Sequence, residues 1–171
     1  CKRSELALAG FSNLLLWLGW LRSSESFGLT WSNLRVVEPC DSATIDLPDG
    51  CGLVSCRLGP ETKSARNHRS DVPLAYKTLS GLHIGKWFHR ARRAAGFDRN
   101  WHQSQRPVFL RPNGTKWTSR YLRDRFLYPS LHEQRKKGDP YLQPFDGSPG
   151  NTIEAKCWSL HCYRRGARSH V

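Results

Sequence analysis

The chain has 171 residues, 38% of them hydrophobic and 24% charged, enough for one self-supporting core and the wrong composition for a disordered or fibrous protein. Its 27 Lys and Arg outnumber 14 Asp and Glu and leave a formal charge of +13, so the expected partner is a polyanion held through phosphate contacts and counterion release. Basic residues interleaved with seven Trp make nucleic acid the expected polyanion.

The six Cys include no C-x-x-C pair and no Cys/His knuckle, which argues against structural zinc, and no metal or other cofactor is expected. A DNA-binding protein works inside the cell, in the nucleus if the source is eukaryotic, where free Cys acts as a small hydrophobe. Met is absent and the first residue is Cys1, so the sequence reads as an internal piece of a longer protein.

Ser4 and Glu5 precede an apolar run to Leu18, predicting a capped, buried helix that ends near Gly19. Residues 6–21 imitate a signal-peptide core, yet Ser12 and Asn13 interrupt them and they fall short of the roughly 18 residues of a spanning helix. No membrane partner is expected. Arg22 falls where the chain turns, and a short helix over 24–29 brings Glu25 close enough to brace its guanidinium.

Between residues 34 and 74 the helical period vanishes. Strand-like pieces at 35–37, 43–45 and 53–55 alternate with turn signals at Pro39, Pro48-Asp49-Gly50 and Gly59-Pro60, predicting a small antiparallel sheet. Its last hairpin carries Lys63, Arg66, His68 and Arg69 at or near the tip, where Arg66 and Arg69 are expected to enter a groove of DNA.

Residues 79–95 have helical spacing in Leu82, Trp87, Phe88, Ala91 and Ala95, and Gly96 should end the helix. Lys86, Arg90 and Arg93 crowd its other faces and are expected to contact DNA. A short strand over 107–110, a turn at Pro112-Asn113-Gly114 and a helix capped by Thr118 follow, with Pro129 expected to kink or stop that helix. Its aromatic residues read as core. Residues 135–151, rich in Pro, Gly and charge, form a connector, and Ser159 caps a last helix with His161 and Arg164 on one side. The fold class is therefore mainly α with a small antiparallel β-sheet (α+β), one domain over 1–171.

Three separated segments each offer basic groups suited to a phosphate: Arg22 in LGWLRSSESFGLTW, Lys63 in ETKSARNHRSDVPL, and His161 with Arg164 in WSLHCYRRGARSHV. Arg forms parallel charge-assisted bonds to a phosphodiester, and Lys can protonate a departing oxygen. His89 with Arg92 and His132 with Arg135 are also H-x-x-R pairs, so only the flanks and order of the last pair carry a signal.

In that order, the chain resembles the catalytic domain of tyrosine recombinases of the phage-integrase type. Gly19, Arg22, Ser24, Glu25, Leu29, Trp31, Ser32 and Asn33 follow the family's first box, Lys63 stands in a hairpin ahead of Val72-Pro73-Leu74, and His161, Arg164, Ser169, His170 and Val171 follow the second box. The resemblance implies an integrase-like DNA breaking-rejoining core. It implies that Arg22 and Arg164 hold the non-bridging oxygens, that His161 moves a proton or holds the phosphate, that Lys63 protonates the leaving 5′ oxygen, and that Glu25 and His170 support them.

A tyrosine nucleophile forming a covalent 3′-phosphotyrosyl bond is implied as well, without metal or nucleotide, with double-stranded DNA as the partner and a homo-oligomer assembled on it. Tyr163 lies inside the H-x-x-R, and Tyr121, Tyr128 and Tyr141 precede it, so the nucleophile is expected beyond Val171 and the domain is expected to be C-terminally incomplete. Two alternatives stay open: an enzyme like the type IB topoisomerases, and a non-catalytic basic DNA-binding remnant of a mobile element.

Overall fold

The apolar run of the N-terminal segment becomes a helix with one buried face. In the computed structural model, which describes residues 3–39, 52–62, 70–97 and 99–138, helix α1 spans Arg3–Leu18 and buries Leu8, Phe11, Leu15 and Leu16 along one stripe. The expected cap, Ser4, lies inside its first turn instead. Helix α2 follows at Ser23–Gly28, shifted by one residue from expectation.

Three strands, β1 (Leu34–Val37), β2 (Leu53–Arg57) and β3 (Asp71–Ala75), form an antiparallel sheet in the order β1-β2-β3. Leu34 stands opposite Cys56, and Cys56 opposite Val72; Val36 stands opposite Val54, and Val54 opposite Leu74. The period of two therefore puts Leu34, Val54, Cys56, Val72 and Leu74 on one buried face. Pro73 sits in β3, which among the described residues pairs on one side only, where a missing N–H is tolerated. The strand expected over 43–45 lies outside the described residues. The molecule is thus α+β, helices with one small antiparallel sheet.

Helix α3 runs Ile84–Ala94 and packs along α1. It starts later than expected because Thr78 folds the chain into a turn: its hydroxyl accepts from the Leu82 amide at 2.9 Å, and Gly81 takes φ +87°. Leu79 is left in solvent and Leu82 43% exposed, so Leu82 is not part of the buried stripe. His83 caps α3 by accepting from the Lys86 amide at 3.2 Å. Gly96, with φ +81°, ends it as expected. The α1–α3 crossing depends on Gly10, where a Cβ would lie 2.3 Å from Trp87 Cζ3.

Trp31, Phe11, Phe88 and Phe109 have no solvent exposure. Edge-to-face contacts of Phe11 and Trp31 with Phe88, at 5.8 and 6.1 Å, join α1, α3 and the segment before β1. Residues 107–110 make isolated bridges rather than a strand, Thr30 to Pro107 and Leu110 to Lys116. Thr118 caps the last described helical run as expected, accepting from the Tyr121 amide at 3.1 Å.

That run is α4 (Ser119–Leu122), a π-helical turn over Arg123–Leu127, and α5 (Tyr128–Lys136). Pro129 does not stop it. The wide turn directly ahead of the proline takes up the lost i→i−4 bond and moves the earlier carbonyl away from the ring. The helix also runs into the expected connector before Gly138, with φ +79°, turns the chain. Residues 139–151 lie outside the described set. Among the described residues no helix is long and apolar enough to cross a membrane.

Candidate functional site

Arg22 owes its position to the way α1 ends. Gly19 donates to the Leu15 carbonyl at 3.1 Å, and a Cβ there would meet that oxygen at 2.6 Å. Trp20 then takes a left-handed φ of 52°, uncommon for a bulky side chain. The next residue, Leu21, is buried in the core. Arg22 emerges between Leu21 and α2, as the residue preceding that helix, with φ −70° and ψ 152°.

Glu25 fixes it there. The carboxylate accepts from the Arg22 backbone N–H through Oε2 at 2.7 Å and from the guanidinium Nη1 through Oε1 at 3.0 Å. The side chains are 3% exposed for Glu25 and 29% for Arg22, so the acid is buried and the base reaches solvent. One carboxylate thus closes the first turn of α2 and orients the guanidinium. The brace foreseen from the three-residue spacing is present.

The guanidinium opens on a cleft of about 480 Å³. Ser24, Thr30 and Asn33 line one side, Leu58, Gly59, Glu61 and Thr62 the other, with Gln105 at the edge. The second side is the foot of the β2–β3 hairpin: Leu58 donates to the Ser70 carbonyl at 2.6 Å, and Thr62 closes a turn onto the Gly59 carbonyl through its amide and its hydroxyl, at 3.0 and 2.9 Å. Among the described lining residues the charges are one arginine against two carboxylates, Glu25 and Glu61. Anion affinity in the cleft therefore needs cations from elsewhere.

Of the Trp31-Ser32-Asn33 box, Asn33 lines the cleft and Trp31 is buried core. Trp31 packs on Phe97 at 5.3 Å as well as on Phe88. Asn33 Oδ1 accepts from the Thr30 amide at 2.9 Å and from its hydroxyl at 2.7 Å. Ser119 donates to Ser23 at 2.6 Å, tying the start of α4 to the turn that bears Arg22.

Lys63, Arg66, Arg69, His161, Arg164 and His170 lie outside the described residues. Lys86, Arg90 and Arg93 are exposed, and their spacing of four and three residues puts them on one ridge of α3. Arg90 and Arg93 share a groove with Arg3 and Leu6, at the opposite end of α1 from Arg22. Helix α1, Arg3–Leu18, lies between them and is about 22 Å long from its first Cα to its last.

Sequence reasoning missed two long-range pairs. His89 Nε2 meets Glu38 Oε1 at 2.6 Å, which ties the first of the two other H-x-x-R pairs to the end of β1. Tyr121 donates to Glu5 Oε1 at 2.5 Å, across 116 residues. Burial first, then the bond to the Glu5 carboxylate, push the Tyr121 phenol above its ordinary value, the wrong direction for a nucleophile. Glu5, an acid in an otherwise apolar run, was the available signal. Comparison with family models, with curated proteins and with solved structures finds no match to this chain.

Proposed function

We infer that the chain binds double-stranded DNA and contributes the arginine and lysine part of a tyrosine recombinase-type site, on an integrase-like version of the α+β fold. The observation that supports this best is the Arg22–Glu25 pair at the rim of a cleft whose other side is the foot of the β2–β3 hairpin. Thr62, in that lining, is next in sequence to Lys63. An arginine held rigid by a buried acid donates to a non-bridging oxygen without reorganising, and a lysine on the facing hairpin protonates the leaving oxygen. His161 and Arg164 complete the phosphate grip in this reading, with His170 in support, and Arg66, Arg69 and Lys86 add contacts to the duplex.

The charge balance of the described cleft favours the second reading, a DNA-binding protein without chemistry of its own. Salt titration of duplex binding tests both. Engagement of about six phosphates lowers affinity by roughly 10³ between 50 and 200 mM salt. Arg22→Ala should reduce the slope of log K against log salt by about 0.9, one phosphate contact, while Arg22→Lys keeps it. A slope unmoved by Arg22→Ala removes Arg22 from the phosphate and leaves the second reading; no duplex binding at low salt removes both.

A further inference from the structure

The groove between the first turns of α1 and the last turns of α3 holds about 720 Å³ and is lined by Arg3, Leu6, Trp87, Arg90, Arg93 and Ala94 among others. It combines two features. Among the described residues three arginines and no carboxylate border it, and it presents apolar surface: Leu6 is 50% exposed, and Trp87 is only partly buried. The Arg90 guanidinium lies over the indole, 5.0 Å from its centroid, a cation–π pair that sets a planar cation beside an aromatic ring.

A double helix complements the first feature alone, because its bases are stacked inside and it meets a protein surface chiefly through phosphates. An unpaired strand complements both: its phosphates answer the arginines, while its splayed bases stack on aromatic rings or guanidinium planes. A second copy of this chain is a poor occupant, since each carries +13.

We propose that this groove is a binding site for single-stranded nucleic acid, with a base stacked on the Arg90–Trp87 pair and adjacent phosphates on Arg3 and Arg93. The site rests on the reading that the partner is nucleic acid, and it adds that an unpaired segment is held at the far end of α1 from Arg22. The Gly10–Trp87 contact fixes the indole edge from below, so the stacking platform is built by the helix crossing itself.

The test compares a dodecamer of thymidine, a 12-base-pair duplex and a poly-glutamate peptide of matched charge, by fluorescence anisotropy on the 171-residue chain. The single strand should bind tightest to the groove. Arg90→Lys keeps the charge and loses the plane, so single-strand affinity should fall by about 5- to 100-fold, the loss of one base stack, with the salt slope unchanged. Arg93→Gln should reduce that slope by about 0.7. Both positions are exposed, and circular dichroism checks that each variant folds. Arg22→Ala should leave single-strand binding intact, so failure of the Arg22 reading and failure of this one are separable. Single-strand binding indifferent to Arg90→Lys overturns the proposal, and so does tighter binding of the acidic peptide, which makes the groove a protein-docking site.

Discussion

Replacing Glu25 with alanine removes a group that both closes α2 and orients Arg22. Two bonds to a charged acceptor are lost, at 2.7 and 3.0 Å. A hydrogen bond to a charged group contributes about 1.5–3 kcal/mol, but the two do not count equally. Arg22 is 29% exposed and regains water when its partner goes, so the guanidinium bond is discounted to the range of about 0–1 kcal/mol for solvent-screened pairs. The amide bond acts as a helix cap and contributes about 1 kcal/mol on its own. Relief from burying a carboxylate gives part of this back. The expected loss for Glu25→Ala is therefore about 1–2 kcal/mol, which lowers Tm by roughly 2–8 °C for a chain of this size. Glu25→Gln keeps an acceptor for the Arg22 amide and should lose about half as much. Thermal unfolding followed by circular dichroism gives both numbers. A Glu25→Ala protein as stable as the parent, or a glutamine variant as damaged as the alanine one, would refute the account of Glu25 as cap and brace.

Tyr121→Phe leaves the buried Glu5 without its phenol donor and should cost about 1–3 kcal/mol in chemical denaturation; an unchanged midpoint contradicts the pair. The raised Tyr121 value means that the folded state favours the neutral phenol, so its contribution is full below the ordinary tyrosine value of about 10 and is lost as pH rises through the higher folded value. Ultraviolet difference titration should find a tyrosine ionising above the ordinary value, and that step should vanish in Tyr121→Phe. Gly10→Val drives a branched side chain into the Trp87 ring, whose Cζ3 lies 2.3 Å from the new Cβ, and should destabilise by at least about 1–3 kcal/mol; a neutral result means that the helices can separate without loss. Pro129→Ala restores a helical N–H on an exposed position of a continuous helix and should stabilise by up to about 3 kcal/mol, whereas a loss of stability gives the proline a favourable role that its missing N–H does not explain.

Most of the fold is legible in the residues because period and burial agree. The stripe of Leu8, Phe11 and Leu15 marks α1, and the alternation through Val54 and Cys56 marks the middle strand. The errors occur where local polar chemistry overrides propensity. Thr78 and Gly81 redirect a stretch that is otherwise helical, and a π-turn lets the chain pass a proline that should have stopped it. The Arg22–Glu25 pair was foreseen because it is local, three residues apart. Glu5 with Tyr121 and Glu38 with His89 were not, since no spacing rule links positions 116 and 51 residues apart. The W-S-N box carries part of the family resemblance, and in the structure Trp31 is buried core and Asn33 spends its side-chain oxygen on Thr30.

Helix α1 also acts as a ruler. It holds Arg22 beyond one end and the Arg3, Arg90 and Arg93 group at the other, with a rigid rod of about 22 Å between them. Successive phosphates of one strand advance about 3.4 Å along a duplex axis, so a rod of this length spans about six nucleotide steps of duplex. The two basic centres cannot grip the same phosphate. A bound nucleic acid that satisfies both must run lengthwise along this helix, and lengthening or shortening α1 by whole turns changes the required site size in steps of about one and a half nucleotides.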